Sequence, residues 1–171
     1  MFKDLASKRK SIRIFSPKEI SDEVIREILE TAILAPSAGN LQSWEFILIK
    51  DIETKKKLAK IAYGQNFISS APVVIIICAN KERSVRKYGE RGNLYSIIDA
   101  ALAGSYLQLA VTDLGLATVW VGAFDSEKLK SLLEIPHNVE PIGIFPIGYP
   151  KEKGRKKERL PLQNFLHKEK F

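Results

Sequence analysis

"SIIDAALAGSYLQLAVTDLG" (residues 96–115) is small or apolar on almost every side, and Gly115 supplies its stop. A helix without a polar face is a buried helix. In a chain of 171 residues, the usual size of one domain, a single subunit offers little material to cover it. The stretch predicts a central helix and a partner subunit, hence a homodimer.

The segments around it give the fold class. "SDEVIREILETAILA" (21–35) repeats apolar residues at helical spacing behind a capping Ser21, and Pro36 limits its end. "WEFILIK" (44–50) is β-rich, and Asp51 caps a lysine-rich helix reaching about Ala62. "VVIII" (73–77) predicts a strand buried on both faces. "ATVWVGAF" (117–124) reads as a strand, "DSEKLKSLLEI" (125–135) as a helix capped by Asp125, and "EPIGIFPIGYP" (140–150) as a last strand broken by Pro and Gly. No strand is followed by GxGxxG or GxxxxGK[ST], which argues against a dinucleotide or P-loop fold. The expectation is α+β, a single domain over 1–171 with one sheet and helices packed on it.

Composition excludes several classes. Hydrophobic residues make up 45% and charged residues 27%, as in a folded soluble protein. The longest apolar run, "APVVIIICA" (71–79), is far shorter than the roughly 20 residues of a membrane span, and the start lacks an apolar signal core, so a cytoplasmic protein is expected. The lone Cys78 has no disulfide partner and apolar neighbours, which predicts an inert buried thiol. His137 and His167 lack ligand-spaced partners, so no metal site is expected. The net charge of +7 divides into +5 over residues 1–18, +5 over 151–171 and −3 between them. Two solvated tails explain this, and so does one basic patch built from both ends.

Two stretches offer chemistry. In "KRKSIRIF" (8–15), Arg9, Lys10, Ser11 and Arg13 suit a phosphate dianion, though basic clusters are equally common at solvated helix ends. In "APSAGNLQSWEF" (35–46), Asn40 and Gln42 each carry a donor and an acceptor, as recognition of an imide-like edge requires, although turn residues also explain themselves as a loop. Trp44 and Trp120 read as core aromatics rather than ligand stackers.

"RKSIR" (9–13), then "APSAGNLQSW" (35–44), "AP" before the run 73–77, "GLATVWVGAFD" (115–125), and a closing "GYP" with "KERLPL" (157–162) follow one another over nearly the whole chain. In order and approximate spacing they resemble the nitroreductase family of FMN-dependent oxidoreductases. The resemblance implies a central mixed or antiparallel sheet flanked by helices in an intertwined homodimer, with an FMN at each subunit interface. It implies that Arg9, Lys10 and Ser11, completed by Lys157 and Arg159, bind the FMN phosphate, and that Arg13 lies nearest the pyrimidine side of the flavin. Pro36, Ser37, Ala38 and Asn40 would reach the flavin from the partner subunit. Backbone amides of Gly122 and Ala123 would approach N5, and Gln65 or Asn66 would contact the ring or ribityl chain. Ser43 stands where the family usually has a proline, and Ala38 where serine is frequent.

The implied activity passes hydride from NADH or NADPH through flavin N5 to a small planar acceptor such as a nitroaromatic or quinone, in a ping-pong cycle without a side-chain nucleophile. Arg13 would tune the ring, because a charge pair about 4 Å apart is worth up to roughly 4 kcal/mol at an effective dielectric near 20. Segment 81–95 would set acceptor choice. Rival readings are the same fold used as a flavin-dependent dehydrogenase or dehalogenase, and a basic nucleic-acid-binding protein. The second lacks aromatics interleaved with its cations, so neither a nucleic-acid nor a membrane partner is expected.

Overall fold

The computed structural model describes residues 1–155 and 157–171; Lys156, one of the C-terminal cations counted above, lies outside them. Strand β2 (Val73–Asn80) is buried over almost its whole length. It pairs antiparallel with β1 (Trp44–Ile49) on one edge and β4 (Val139–Gly148) on the other, and the short β3 (Ala117–Thr118) pairs antiparallel with β4, giving the order β1-β2-β4-β3.

Side chains along β2 alternate between two cores, as a pleated strand dictates. Val73, Ile75, Ile77 and Ala79 pack with helices α2 (Asp22–Ala32) and α6 (Gly92–Asp113), while Val74, Ile76 and Cys78 pack with α3 (Ile52–Ile61), α4 (Phe67–Ser70) and α7 (Ser126–Leu133). Helix α5 (Lys81–Tyr88) lies against α6, as does the short N-terminal α1 (Phe2–Lys8). The caps expected from sequence are in place: Ser21, Asp51 and Asp125 accept from the backbone N–H of Val24, Thr54 and Lys128. Trp44 is a core residue, and the half-buried Trp120 packs on Phe145 and donates to Ile142 O at 3.2 Å.

Three boundaries differ from the sequence reading. Helix α2 stops at Ala32, and Ile33 and Leu34 turn the chain before Pro36. Helix α6 starts at Gly92 rather than Ser96, because α5 crosses it there so closely that a Cβ at Gly92 would lie 2.5 Å from Val85 N. The expected strand 117–124 is regular only at Ala117–Thr118, followed by a lone bridge at Val121. Ile144 exchanges both backbone hydrogen bonds with Val121, so Pro146, two residues on, turns its nitrogen to the same edge. It has no N–H to give Val119, and the ladder breaks at that point. By contrast β4 itself is continuous, with Pro141 absorbed at a register shift that leaves Ile142 unpaired with β2.

The stretch Lys81–Asp113, which the fold divides into α5 and α6, contains a window that by length and composition is apolar enough to cross a bilayer. Half of its most apolar window is buried inside the domain, as in the core helix that the sequence predicts. Burial, helped by the charges of Glu45 and Glu140, pushes the Cys78 thiol up to about 12.

Glu140, in β4, gathers Lys130 Nζ at 2.8 Å, Lys81 Nζ at 3.1 Å and Ser126 Oγ at 2.9 Å. Burial opposes its ionisation, but the hydrogen bonds from Lys130, Lys81 and Ser126 outweigh it and hold the carboxyl below the usual glutamate range. A depressed carboxyl contributes stability above its unfolded-state value and loses it as pH falls through the folded one. Glu140→Gln is therefore expected to cost about 1–3 kcal/mol at pH 7 and to flatten the acid limb of stability below roughly pH 5. Urea unfolding across pH checks both; an unchanged acid limb contradicts the assignment.

Candidate functional site

The first group of site residues follows from how α1 ends. Arg9 leaves the helix with extended backbone, and residues 11–16 then run between β3 and the C-terminal segment. Ser11 pairs in parallel with Thr118, and Ile12 N donates to Thr118 O at 3.1 Å. Further along, Ser16 N donates to Tyr149 O at 2.8 Å and Lys151 N to Ile14 O at 2.9 Å. Buried Ile12 and Phe15 anchor the segment, which leaves Ser11 and Arg13 facing out.

The two basic ends of the chain therefore run side by side. Glu152 accepts from the backbone N–H of Arg13 at 2.7 Å and of Ile14 at 3.3 Å, and Lys10 Nζ donates to Lys153 O at 3.1 Å. Gly154, at φ +62°, presses on Ile12 so closely that a Cβ would lie 2.6 Å from Ile12 Cδ1. Beyond it Lys157 and Arg159 are exposed. Among the described residues, the side chains of Arg9, Ser11, Arg13, Lys157 and Arg159 take part in no hydrogen bond or ion pair within the protomer. Arg13 lies over the Phe67 ring, 5.7 Å from its centroid.

A strip of polar groups continues along this edge. Gln65 Nε2 donates to Ala62 O at 3.0 Å and Ala123 O at 3.1 Å, which ties the turn after α3 to the chain beyond Val121 and leaves the amide oxygen free to accept. Gly122 and Ala123 are exposed, and their N–H groups meet no backbone acceptor among the described residues.

The second group is the loop after α2. Pro36 and Ser37 lead into a single 3-10 turn, Ala38–Asn40, with positive φ at Gly39, Asn40 and Gln42. Ser37 Oγ accepts from Gln42 N at 3.0 Å, and Gln42 Nε2 donates to Asn40 Oδ1 at 3.4 Å. The fastening contact comes from α6: the Ala38 N–H donates to Asp99 Oδ1 at 2.9 Å. Asp99 is 1% exposed, and its other oxygen has no partner among the described residues. Sequence reasoning passed over Asp99; an acid in the middle of an apolar helix, unlike Asp113 at its end, was the available signal.

These two groups stand at opposite ends of the sheet. Ser11 is level with Val73 through Thr118 and Ile147, whereas the loop joins the sheet where Asn80 N donates to Ser43 O. Val73 to Asn80 is about 24 Å at about 3.4 Å per strand residue. Helix α6 gives an independent ruler: it carries Asp99 at the loop end and Leu114 at the β3 end, about 22 Å apart at 1.5 Å per residue. A groove of about 480 Å³ lies elsewhere, between α1, α2 and α6, and the charged residues lining it are Glu27 and Asp113.

Comparison with known proteins gives one consistent result. The model of the nitroreductase family matches residues 6–70 and 62–149. A Thermus thermophilus protein named NADH dehydrogenase is 32% identical, over 96% of this chain and 94% of its own length. A Bacillus subtilis protein named FMN reductase [NAD(P)H] is also 32% identical, over 95% of this chain and 71% of its own. The crystal structure of a nitroreductase family protein from Streptococcus pneumoniae superposes with a TM-score of 0.89 at 30% identity, covering 98% of this chain and all of that one.

The Asp99 contact predicts how the loop is held. A hydrogen bond to a charged acceptor is worth about 1.5–3 kcal/mol. Asp99→Ala should speed hydrogen exchange at the Ala38 amide by roughly ten- to hundredfold, and Asp99→Asn, which keeps an acceptor, should preserve most of the protection. Exchange at Ala38 that is unchanged in Asp99→Ala contradicts the tether.

Proposed function

The chain belongs to the nitroreductase family, and from that premise we propose that it is an FMN-dependent oxidoreductase, a single domain over 1–171 working as a homodimer. It takes electrons from NAD(P)H and delivers them to a small planar acceptor such as a nitroaromatic or a quinone. When bound, FMN supplies the hydride chemistry, and the protein supplies binding, orientation and charge. The observation that carries this reading is the antiparallel pairing of residues 14–16 with 149–151, extended by the Glu152 and Lys10 side-chain contacts, which brings two basic chain ends together around donors not engaged elsewhere among the described residues of the protomer.

That donor set fits a mononucleotide. Arg9, Lys10 and Ser11, with Lys157 and Arg159, would hold the phosphate through charge-assisted hydrogen bonds. Arg13, steadied over Phe67, would keep a fixed positive charge at the pyrimidine edge. The Gly122 and Ala123 N–H groups and the Gln65 amide oxygen would meet the ring and its ribityl chain. Pro36, Ser37, Ala38 and Asn40 would serve the flavin held by the other subunit, because about 24 Å of sheet separates them from the basic strip of their own chain.

Exposed apolar surface supports the dimer. On α6, Leu94, Ile97 and Ile98 remain 39–50% exposed, and in the C-terminal tail Leu162, Phe165 and Leu166 are 54–67% exposed. Apolar residues grouped in this way mark an interaction surface. The apolar window within Lys81–Asp113 is half buried inside the domain, which favours a core helix over a membrane span.

Purified protein should bind FMN, quench its fluorescence and bleach it anaerobically on addition of NADH or NADPH. No FMN binding, or bound FMN that neither nicotinamide reduces, overturns the reading. Arg9→Ala and Arg159→Ala should each weaken FMN about ten- to hundredfold with the fold intact, from the loss of about 1.5–3 kcal/mol per charged hydrogen bond. Unchanged affinity in both variants would remove them from the phosphate site.

A further inference from the structure

We propose that Lys87 and Arg91, held on the rings of Tyr88 and Tyr95, form the subsite that binds a phosphate of the dinucleotide electron donor. The inference rests on the flavin reading above and adds the residues that recognise the donor's charged part.

Segment 81–91 carries five cations, and their partners separate them into two sets. Lys81 pairs with Glu140, Arg83 with Glu45 and Arg86 with Glu82. Lys87 and Arg91 form no ion pair among the described residues, and Glu90, between them in sequence, pairs with neither. Instead Lys87 Nζ lies 5.4 Å from the Tyr88 ring centroid, and the Arg91 guanidinium lies 5.4 Å from that of Tyr95. Arg91 Nε donates to Tyr95 Oη at 2.7 Å, and the two rings meet edge-on at 5.1 Å. Both cations are exposed while both rings are half-buried. The result is a pair of charges held in one small patch on an aromatic base, so an anion binding there orders less flexible side chain than it would on free lysines.

The patch lies directly against the loop assigned above to the flavin. A Cβ on Gly39 would lie 2.6 Å from Lys87 Nζ and 2.4 Å from Tyr88 Oη, and Gly39 sits at φ +57°, so a side chain there would displace both from this approach. A nicotinamide stacked on the ring beside this loop would project its phosphates outward from it. The sequence has no Gly-rich pyrophosphate loop, so a dinucleotide has to find its cations on side chains. Neutral nitroaromatics and quinones need none, which assigns the patch to the donor.

The test uses the FMN-loaded protein and a Lys87→Gln/Arg91→Gln double variant. Anaerobic stopped-flow reduction compares NADPH, NADH and 1-benzyl-1,4-dihydronicotinamide, a donor without phosphate. Calorimetry measures binding of 2′-phospho-ADP-ribose, which is redox-inert. The double variant should raise the half-saturating NADPH concentration and weaken 2′-phospho-ADP-ribose by about tenfold or more, and leave the phosphate-free donor within about twofold. Equal loss for NADH and NADPH assigns the pyrophosphate; loss for NADPH alone assigns the 2′-phosphate. Lys87→Arg with Arg91→Lys should retain binding. Unchanged affinity for the phosphorylated donors, or equal loss with the phosphate-free donor, overturns the inference. Wild-type protein that binds no FMN overturns the reading beneath it, a result distinct from either.

Discussion

The rest of the molecule is arranged around one constraint: β2 is hydrogen-bonded on both edges and covered on both faces. Its backbone is satisfied by β1 and β4, and its side chains alternate between the α2/α6 core and the α3/α4/α7 core. Such a strand has no place for unpaired polar groups, which are costly when buried. Polar chemistry is therefore driven to the sheet's ends and its outer edge. The ends lie about 24 Å apart along β2. A flavin site that draws on both has to draw on two chains, and the apolar surface left open on α6 is where a second chain would sit.

The outer edge owes its shape to a proline. Because Pro146 has no N–H to offer, the ladder beyond Thr118 lapses, and Gly122 and Ala123 emerge with N–H groups that meet no backbone acceptor among the described residues instead of ending in a regular strand. The other edge of β3 is taken by Ser11 and Ile12, so the N-terminal segment is both a sheet extension and the carrier of the basic side chains. Glu152 completes this arrangement. It is an acid within a cationic stretch, and it accepts from the backbone N–H groups of Arg13 and Ile14, so it fixes the strip while forming no ion pair with an arginine among the described residues.

Much of this was legible in the sequence because the signals were local. Ser21, Asp51 and Asp125 announced their helices, "VVIII" announced a doubly buried strand, and the small and apolar residues on almost every side of 96–115 announced the central helix. What escaped depends on partners distant in the chain. The strand at 117–124 was cut short by Pro146, whose effect follows from register and not from its neighbours. The start of α6 was set by a backbone crossing at Gly92, and the loop tether comes from Asp99, whose partner Ala38 is sixty-one positions away. Segment 81–95 was expected to set acceptor choice; its division into paired and ring-held cations required coordinates.

The central claim is that each site takes its basic strip from one subunit and its loop from the other, and subunit mixing tests it most directly. Asn40→Ala damages the loop and Lys157→Ala the phosphate contact, so each homodimer has two damaged sites. In a heterodimer of the two, both lesions fall on one site, and the intact loop of the Lys157→Ala chain meets the intact strip of the Asn40→Ala chain. Heterodimers verified by mass should regain nicotinamide-dependent acceptor reduction at about half the wild-type level, as expected for one intact site in two. Heterodimers no more active than their clearly impaired parents would show that loop and strip do not meet across the interface.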